Sequence, residues 1–202
     1  MRDMNLPNKI TLVRIFMIPV FVAVFFLDGI LPYNYVIATA IFALAACTDF
    51  IDGYIARKYK LVTNLGKFLD PIADKVLVST AMLLLLTLQG NLFGAFGELS
   101  KGLYIAVAIA ICVIMARELI ISAFRQIAAT SGVVMAADML GKYKTTFQDV
   151  SLVVLMVAAD LTGKAQLIVA WIGLALFAIA TILTVWSGIS YVVKNKAVLK
   201  TN

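Results

Sequence analysis

Six long apolar segments divide the chain, and they constrain its fold more than any other feature. Each has about the 20 residues that a helix needs to cross the hydrocarbon of a bilayer. A soluble domain is about 45–50% apolar, whereas hydrophobic residues make up 63% of these 202 residues. A bilayer is therefore needed to cover so much apolar surface. The segments lie roughly at residues 10–28, 33–56, 67–89, 102–126, 144–161 and 166–193.

This pattern predicts an all-α membrane protein with six transmembrane helices. No internal repeat, low-complexity tract or separate soluble region interrupts it, so residues 1–202 are expected to form a single transmembrane domain. Residues 1–9 are expected to form a short interfacial segment that leads into the first helix, and Pro19 should kink that helix. No small-residue cleavage site follows the first apolar segment, so we interpret it as a retained helix rather than a signal peptide.

The lysines and arginines are distributed unevenly between the connections. Six crossings place 15 of the 17 basic residues on one side and leave Lys101 and Lys164 on the other. Basic residues accumulate on the cytoplasmic side of membrane proteins. The sequence therefore predicts a multi-pass protein of the cytoplasmic membrane with both termini in the cytoplasm. Because this orientation accounts for the net charge of +6, no nucleic-acid partner is expected.

Four aspartates lie in the second and third apolar segments, where a charged side chain is costly. Asp49 and Asp52 are spaced i, i+3, and Asp70 and Asp74 are spaced i, i+4, so each pair shares one helix face. The two segments are joined by a short polar connection and should be antiparallel neighbours, so the four carboxylates can converge. One aspartate at the centre of a membrane helix costs about 2.5–3.5 kcal/mol, and such acids are functional candidates.

The convergence of four carboxylates predicts a metal site. Close carboxylates stay ionised together only if cations compensate them, and Mg²⁺ or Mn²⁺ prefers oxygen ligands. The chain has no histidine, and its two cysteines, Cys47 and Cys112, are far apart in the sequence, which makes zinc a poor candidate. Without histidine, a carboxylate is also the best candidate for a general base.

Small residues lie beside the acidic pairs. Gly53 and Ala56 remove side-chain bulk from the second helix, although a glycine in a helix costs up to about 1 kcal/mol relative to alanine. Room for a bulky nucleotide against the backbone would account for this cost, with Arg57 and Gly66 at the mouth of the cavity. The alternative is that the small residues let two helices pack closely.

The spacing of these residues resembles the signature of the CDP-alcohol phosphatidyltransferases. All eight fixed positions and every gap match: Asp49-x-x-Asp52-Gly53-x-x-Ala56-Arg57, eight residues, then Gly66-x-x-x-Asp70-x-x-x-Asp74. The resemblance implies transfer of a phosphatidyl group from CDP-diacylglycerol to an alcohol. It also implies two divalent ions, Mg²⁺ or Mn²⁺, a homodimer among membrane lipids, and a site that faces the cytoplasm.

The resemblance also implies roles for individual residues. Asp49, Asp52 and Asp70 would be metal ligands, and Asp74 would complete the metal cluster and accept the proton of the acceptor hydroxyl. CDP-diacylglycerol would bind at Asn8, Asp49, Asp52, Gly53, Ala56, Arg57 and Gly66.

Residues outside the signature resemble a branch of the family whose acceptor is sn-glycerol 3-phosphate. They are Asn5-Leu6-Pro7-Asn8-x-x-Thr11-x-x-Arg14, Ala116-Arg117-Glu118, Arg125 and Gly141-Lys142-x-Lys144-Thr145. Arg117 and Arg125 are about two helical turns apart, and arginine suits bidentate phosphate binding. We therefore expect Arg117, Arg125 and Lys142 to bind the acceptor phosphate. The alternative is that they only set topology or contact anionic headgroups.

The residues alone leave other functions open. Within the family, the acceptor could instead be inositol phosphate, serine or phosphatidylglycerol. A cation- or proton-coupled transporter would also place acids in its helices, but transporters usually pair two halves with broken helices near the midplane. Here the acids occupy two consecutive segments near one side. A non-catalytic membrane scaffold would leave the cost of the acidic cluster unexplained.

We predict that activity requires a divalent cation, because the four aspartates need compensating charge. Excess EDTA should abolish CMP release from CDP-diacylglycerol by the purified protein, and added Mg²⁺ or Mn²⁺ should restore it. Full activity in excess EDTA would overturn the predicted metal site.

Overall fold

The protein is a bundle of six α-helices in a computed structural model, which describes residues 5–59, 63–130 and 139–194. The helices are α1 (Leu6–Phe25), α2 (Asn34–Lys58), α3 (Asn64–Thr87), α4 (Ser100–Thr130), α5 (Met139–Ala159) and α6 (Gly163–Lys194). A short 3-10 helix, Phe93–Leu99, precedes α4. These described residues contain no strand, which confirms the all-α prediction. The side chains at 50–57, 64, 65, 67, 68, 127, 129, 130, 139, 140 and 142 lie outside the description.

Each predicted apolar segment corresponds to one α-helix, in the predicted order. Within the described ranges, three helical stretches are long and apolar enough to cross a membrane: Leu6–Phe25, Phe93–Gln126 and Gly163–Lys194. In α2, the apolar stretch Asn34–Asp49 is shorter. These findings indicate a multi-pass membrane protein, while the number of six spans stays a prediction.

The first helix begins earlier than the first predicted apolar segment, which starts at residue 10, while the interfacial location of the first residues stays a prediction. Helix α1 begins at Leu6, so residues 6–9 already belong to the first helix. Pro7 lies in its first turn, where the missing N–H of proline is tolerated because the first N–H groups of a helix have no partner within it. Pro19 lies inside α1, which runs as one helix from Leu6 to Phe25.

A network of hydrogen bonds joins three connections at one end of the bundle. Asp160, after α5, accepts a hydrogen bond of 2.7 Å from the N–H of Val36 and so satisfies a donor in the first turn of α2. Asn91, between α3 and α4, donates to the hydroxyl of Tyr35 at 2.8 Å. The backbone carbonyl of Asn91 accepts from Gln166 of α6 at 2.5 Å. The connections α1–α2, α3–α4 and α5–α6 therefore meet at this end.

The opposite end is joined through the first residues of α1 and α3. Thr63 caps α3 because its hydroxyl accepts a hydrogen bond of 3.0 Å from the N–H of Gly66. The same hydroxyl donates to Oδ1 of Asn8 at 3.0 Å. A Cβ atom at Gly66 would lie only 2.8 Å from that oxygen, so the close approach requires glycine. Consecutive helices thus alternate in direction, and the α2–α3 connection lies at the Asn8 end.

An aromatic core holds α1 against α2. Phe21 and Phe42 are fully buried, and their ring centroids lie 5.8 Å apart. Phe25 meets Tyr35 edge to face with 5.0 Å between the centroids, a favourable geometry for aromatic rings. This packing sets the position of α1 relative to α2, and therefore which polar residues of α1 reach the acids further along α2.

The contact between α5 and α6 generates a stability prediction. A Cβ atom at Gly173 would lie 2.7 Å from Cγ and Cδ2 of Leu155, whereas a Cβ atom at Gly102 in α4 would meet nothing within 4 Å. We expect Gly173→Ala to destabilise the protein by about 1–3 kcal/mol through overpacking. The matched Gly102→Ala change should be neutral or stabilising, since alanine favours a helix. Thermal unfolding in detergent measures both, and equal midpoints would contradict this packing.

Candidate active site

Polar side chains of α1 hold acids of both α2 and α3. Arg14 is fully buried, and its Nη1 donates to Oδ1 of Asp49 at 2.7 Å while its Nε donates to Thr48 at 3.1 Å. Thr11, about one helical turn earlier, donates to Oδ1 of Asp70 at 2.7 Å. Helix α1 therefore fixes where both carboxylates lie.

The carboxylate of Asp49 is accessible although its partner is buried. Its side chain is 43% exposed, whereas the side chain of Arg14 is fully enclosed. The hydrogen bonds from α1 reach Oδ1 of Asp49 and of Asp70, so the second oxygen of each carboxylate can bind a cation. The guanidinium also supplies a fixed positive charge, which offsets part of the repulsion among the acids.

Asp74 lies one turn beyond Asp70 and lines a cavity between α3, α4 and α5. It is within electrostatic range of Asp49 and Arg14, so it belongs to the same group of charges. The cavity has a volume of about 100 Å³, which leaves room for several water molecules. Other polar residues that line it are Lys75, Ser79, Glu118, Lys144, Thr145 and Gln148.

Basic residues cluster around the carboxylate of Glu118 in α4. Glu118 forms ion pairs with Lys144 of α5 and, at 3.2 Å, with the adjacent Arg117. Lys75 of α3 donates to Ser122, one helical turn from Glu118. Lys144 is buried, and the ion pair with Glu118 compensates a charge that would otherwise be costly there. With three cations and one carboxylate, the cluster carries a net positive charge.

The structure adds a carboxylate near Asp49 and Asp74 that the sequence analysis missed. Asp149 of α5 lies within electrostatic range of Asp74, Asp49 and Lys144. Its Oδ1 is buried and has no hydrogen-bond partner among the described residues. The signal in the sequence was an acid inside the fifth apolar segment, but no second acid at helical spacing marked it as part of a cluster.

The candidate metal ligands have oxygen donor atoms, which hard divalent cations prefer. The candidate ligands are carboxylate oxygens, and the unpartnered oxygen of Asp149 adds negative charge near Asp74. In the described part of the chain, however, no three potential metal ligands lie together as a group. The side chain of Asp52, one of the four predicted ligands, lies outside the described residues. The four-aspartate cluster therefore stays a prediction.

The predicted nucleotide site is described only in part. Asn8 and Gly66 lie against each other at the starts of α1 and α3, on the helices that carry Thr11 and Asp70. For Asp52, Gly53, Ala56 and Arg57, the structure describes the α2 backbone but not the side-chain environment, so these predictions fall outside the described residues.

The predicted residues for the acceptor phosphate lie on α4 and α5. Arg117 Nη2 donates to the hydroxyl of Ser187 at 2.9 Å. Arg125 lies over the ring of Tyr191, 5.4 Å from its centroid, and donates to its hydroxyl at 3.3 Å. Both arginines thus contact α6, whereas Lys75 and Lys144 are the basic residues that line the cavity within the described part of the chain. The side chain of Lys142 lies outside the described residues.

The described groups combine two kinds of chemistry. Carboxylates at α2 and α3 can bind cations, and Asp74 can also accept a proton at the cavity. The basic cluster around Glu118 can attract an anionic reactant to the same cavity. The arrangement therefore suits a reaction between two anionic molecules, one held by cations and one held by basic side chains.

Comparisons with known proteins agree with this chemistry. A family model described as CDP-alcohol phosphatidyltransferase matches residues 4–186. The chain is 37% identical to the CDP-diacylglycerol–glycerol-3-phosphate 3-phosphatidyltransferase of Bacillus subtilis (strain 168), over 98% of both chains. It is also 37% identical to proteins of the same name from Shigella flexneri serotype 5b (strain 8401) and Escherichia coli (strain K12), over 96% of both chains in each case.

We predict that Arg14 and Asp49 stabilise the bundle as a pair. Arg14→Gln should reduce the free energy of unfolding by about 1.5–3 kcal/mol, the usual contribution of a charge-assisted hydrogen bond. Arg125→Gln is the matched control, because its exposed contact with Tyr191 should contribute about 1 kcal/mol or less. Thermal unfolding in detergent with EDTA measures both without a contribution from bound metal.

A double variant tests whether the contact is direct. Asp49→Asn should recover part of the loss in the Arg14→Gln background, since a neutral amide no longer needs the guanidinium. If the double variant instead lost as much free energy of unfolding as the two single variants together, the two side chains would not interact directly.

Proposed function

The chain belongs to the CDP-alcohol phosphatidyltransferases, and we propose that it transfers the phosphatidyl group of CDP-diacylglycerol to sn-glycerol 3-phosphate. The products are phosphatidylglycerol phosphate and CMP, and the reaction belongs to phospholipid biosynthesis. The observation that carries this proposal is the 37% identity to enzymes of that name over 96–98% of the chain. The eight matching signature positions support the same conclusion.

The carboxylates of α2 and α3 are proposed to hold the donor diphosphate through cations. Asp49, Asp52 and Asp70 are the proposed ligands of two Mg²⁺ or Mn²⁺ ions, with Asp74 completing the cluster. Bound ions of this kind neutralise a diphosphate and stabilise the leaving CMP. The hydrogen bonds of 2.7 Å from α1 support this assignment, because they keep Asp49 and Asp70 in place.

The nucleotide of CDP-diacylglycerol is proposed to lie beside the starts of α1 and α3. Asn8 and Gly66 form one boundary of this space, and their contact leaves no room for a Cβ atom at Gly66. Gly53 and Ala56 would give the nucleotide access to the backbone of α2, and Arg57 would contact its phosphates.

Asp74 is proposed to act as the general base. Asp49 and Asp70 each accept a hydrogen bond from α1, whereas Asp74 lines the cavity between α3, α4 and α5, which would receive the acceptor. Its carboxylate would take the proton of the acceptor hydroxyl as the hydroxyl oxygen forms a bond to phosphorus. The bond between that phosphorus and the CMP oxygen breaks in the same displacement, so CMP carries away the electron pair.

Arg117, Arg125 and Lys142 are proposed to bind the acceptor phosphate. The position of Arg117 near the cavity supports this role. Arg117 forms an ion pair with Glu118, and Glu118 also pairs with Lys144, which lines the cavity. Both arginines donate hydrogen bonds to hydroxyl groups of α6, which orients their guanidinium groups.

We propose the following arrangement in the cell. Six spans, with both termini and the active site on the cytoplasmic side of the cell membrane, would follow from the alternating helix directions and the uneven distribution of basic residues. A homodimer is part of the proposal on the family resemblance alone.

An acceptor panel tests the proposed reaction. Purified protein with labelled CDP-diacylglycerol should form labelled phosphatidylglycerol phosphate with sn-glycerol 3-phosphate. It should form little product with inositol phosphate, serine or phosphatidylglycerol. Product formation with one of these instead would move the protein to another branch of the family, and absence of CMP release would contradict the reaction class.

We predict that Asp74→Asn keeps the fold and CDP-diacylglycerol binding but loses nearly all turnover. The amide preserves the shape of the side chain, and removal of a general base typically costs about 10²–10⁴ in rate. The exposed Glu98→Gln change, which lies before α4, is the matched control and should leave the rate unchanged. Near-normal turnover of Asp74→Asn would remove this residue from the mechanism.

A further inference from the structure

Gln148 is a buried amide with an unused hydrogen-bond acceptor at the cavity. The residue is only 2% exposed and lies on α5, one helical turn beyond Lys144. Its Oε1 is buried and has no hydrogen-bond partner among the residues that the structure describes. Its Nε2 contacts the sulfur of Met82 at 3.7 Å, and sulfur is a weak acceptor. Buried polar groups without a partner are rare in folded proteins, so this oxygen calls for a ligand.

The surroundings of Gln148 indicate what that ligand carries. The same cavity is lined by Asp74, Lys75 and Lys144 as well as by Gln148. A proposed proton acceptor, two basic residues and the amide with the unpartnered oxygen therefore surround one small space. A reactant with a nucleophilic hydroxyl, an anionic group and a second hydroxyl would satisfy all three.

We propose that Gln148 determines acceptor specificity by accepting a hydrogen bond from the second, non-reacting hydroxyl of a three-carbon polyol phosphate. The proposal rests on the proposed function, in which sn-glycerol 3-phosphate is the acceptor. Its C1 hydroxyl gives a proton to Asp74, its phosphate lies toward the basic cluster around Glu118, and its C2 hydroxyl donates to Oε1 of Gln148. An acceptor that lacks the C2 hydroxyl leaves that oxygen buried and unpaired.

The physical basis is the asymmetry of buried hydrogen bonds. A site built to pair with a hydroxyl discriminates strongly against an analogue that lacks it, because the polar group of the protein then loses water without gaining a partner. Leaving one such group unpaired costs about 1–3 kcal/mol, which corresponds to a preference of roughly 5- to 150-fold.

The test compares two acceptors that differ only in that hydroxyl. We expect the wild-type protein to use sn-glycerol 3-phosphate more efficiently than 3-hydroxypropyl phosphate, with a kcat/KM ratio of about 5- to 150-fold. Gln148→Met keeps a side chain of similar length and removes the strong acceptor. Its ratio should fall to near one, mainly because the efficiency with sn-glycerol 3-phosphate decreases.

A matched control separates this effect from a general loss of packing. Ser151 is also buried on α5, and its hydroxyl donates to the backbone carbonyl of Gln148 at 2.7 Å. Ser151→Ala should therefore leave the ratio between the two acceptors unchanged, even if it lowers both efficiencies. Nucleotide-lipid binding, measured separately, should be the same in wild type and Gln148→Met.

Each outcome bears on a different claim. Equal use of both acceptors by the wild type, or an equal loss for both in Gln148→Met, overturns the specificity role and leaves the proposed reaction intact. Failure of the wild type to use sn-glycerol 3-phosphate contradicts the proposed function itself. A ratio that collapses only in Gln148→Met supports the inference.

Discussion

A charged side chain inside an apolar helix bundle is stable only where opposite charges or hydrogen-bond donors surround it, and the active site depends on this requirement. Arg14 is the clearest case, because a fully buried guanidinium on α1 meets the carboxylate of Asp49 on α2. Thr11 makes the corresponding contact with Asp70 on α3. The first helix is therefore part of the candidate active site, since it positions acids on both of its neighbours.

The same requirement divides the site into two regions of opposite charge. The acids of α2 and α3 suit a donor diphosphate held through cations, whereas the cluster around Glu118 carries more positive than negative charge. Asp74 and the cavity lie between α3, α4 and α5, where both regions meet. Two anionic reactants can thus approach one another, because cations at the acids of α2 and α3 would hold one and the basic residues around Glu118 would hold the other. This separation agrees with the proposed reaction, in which a phosphorylated alcohol attacks the diphosphate of CDP-diacylglycerol.

Local sequence patterns predicted the features that depend on short spacing. The i, i+3 and i, i+4 aspartates predicted the helices of the candidate active site, because helical geometry alone puts such pairs on one face. Helix α1 begins at Leu6, before the predicted start of the first apolar segment at residue 10, since proline is tolerated in a first turn. Arg14 entered the sequence analysis only as a charge for topology and as part of a resemblance. Its contact with Asp49 joins residues that lie 35 positions apart, and no local pattern encodes such a distance.

The sequence by itself determined that this chain is an all-α membrane protein, and it predicted four aspartates as the chemically significant residues, because composition and helical periodicity are local properties. It also determined the family, since the signature is a set of residue types at fixed spacing. Only the tertiary structure decided which side chains hold Asp49 and Asp70, that Asp149 approaches Asp49 and Asp74, and that Lys144, Glu118 and Gln148 line one cavity with Asp74. These relations depend on how α1, α4 and α5 pack against α2 and α3. That packing arises from contacts between distant parts of the chain, so spacing along the sequence does not reveal it.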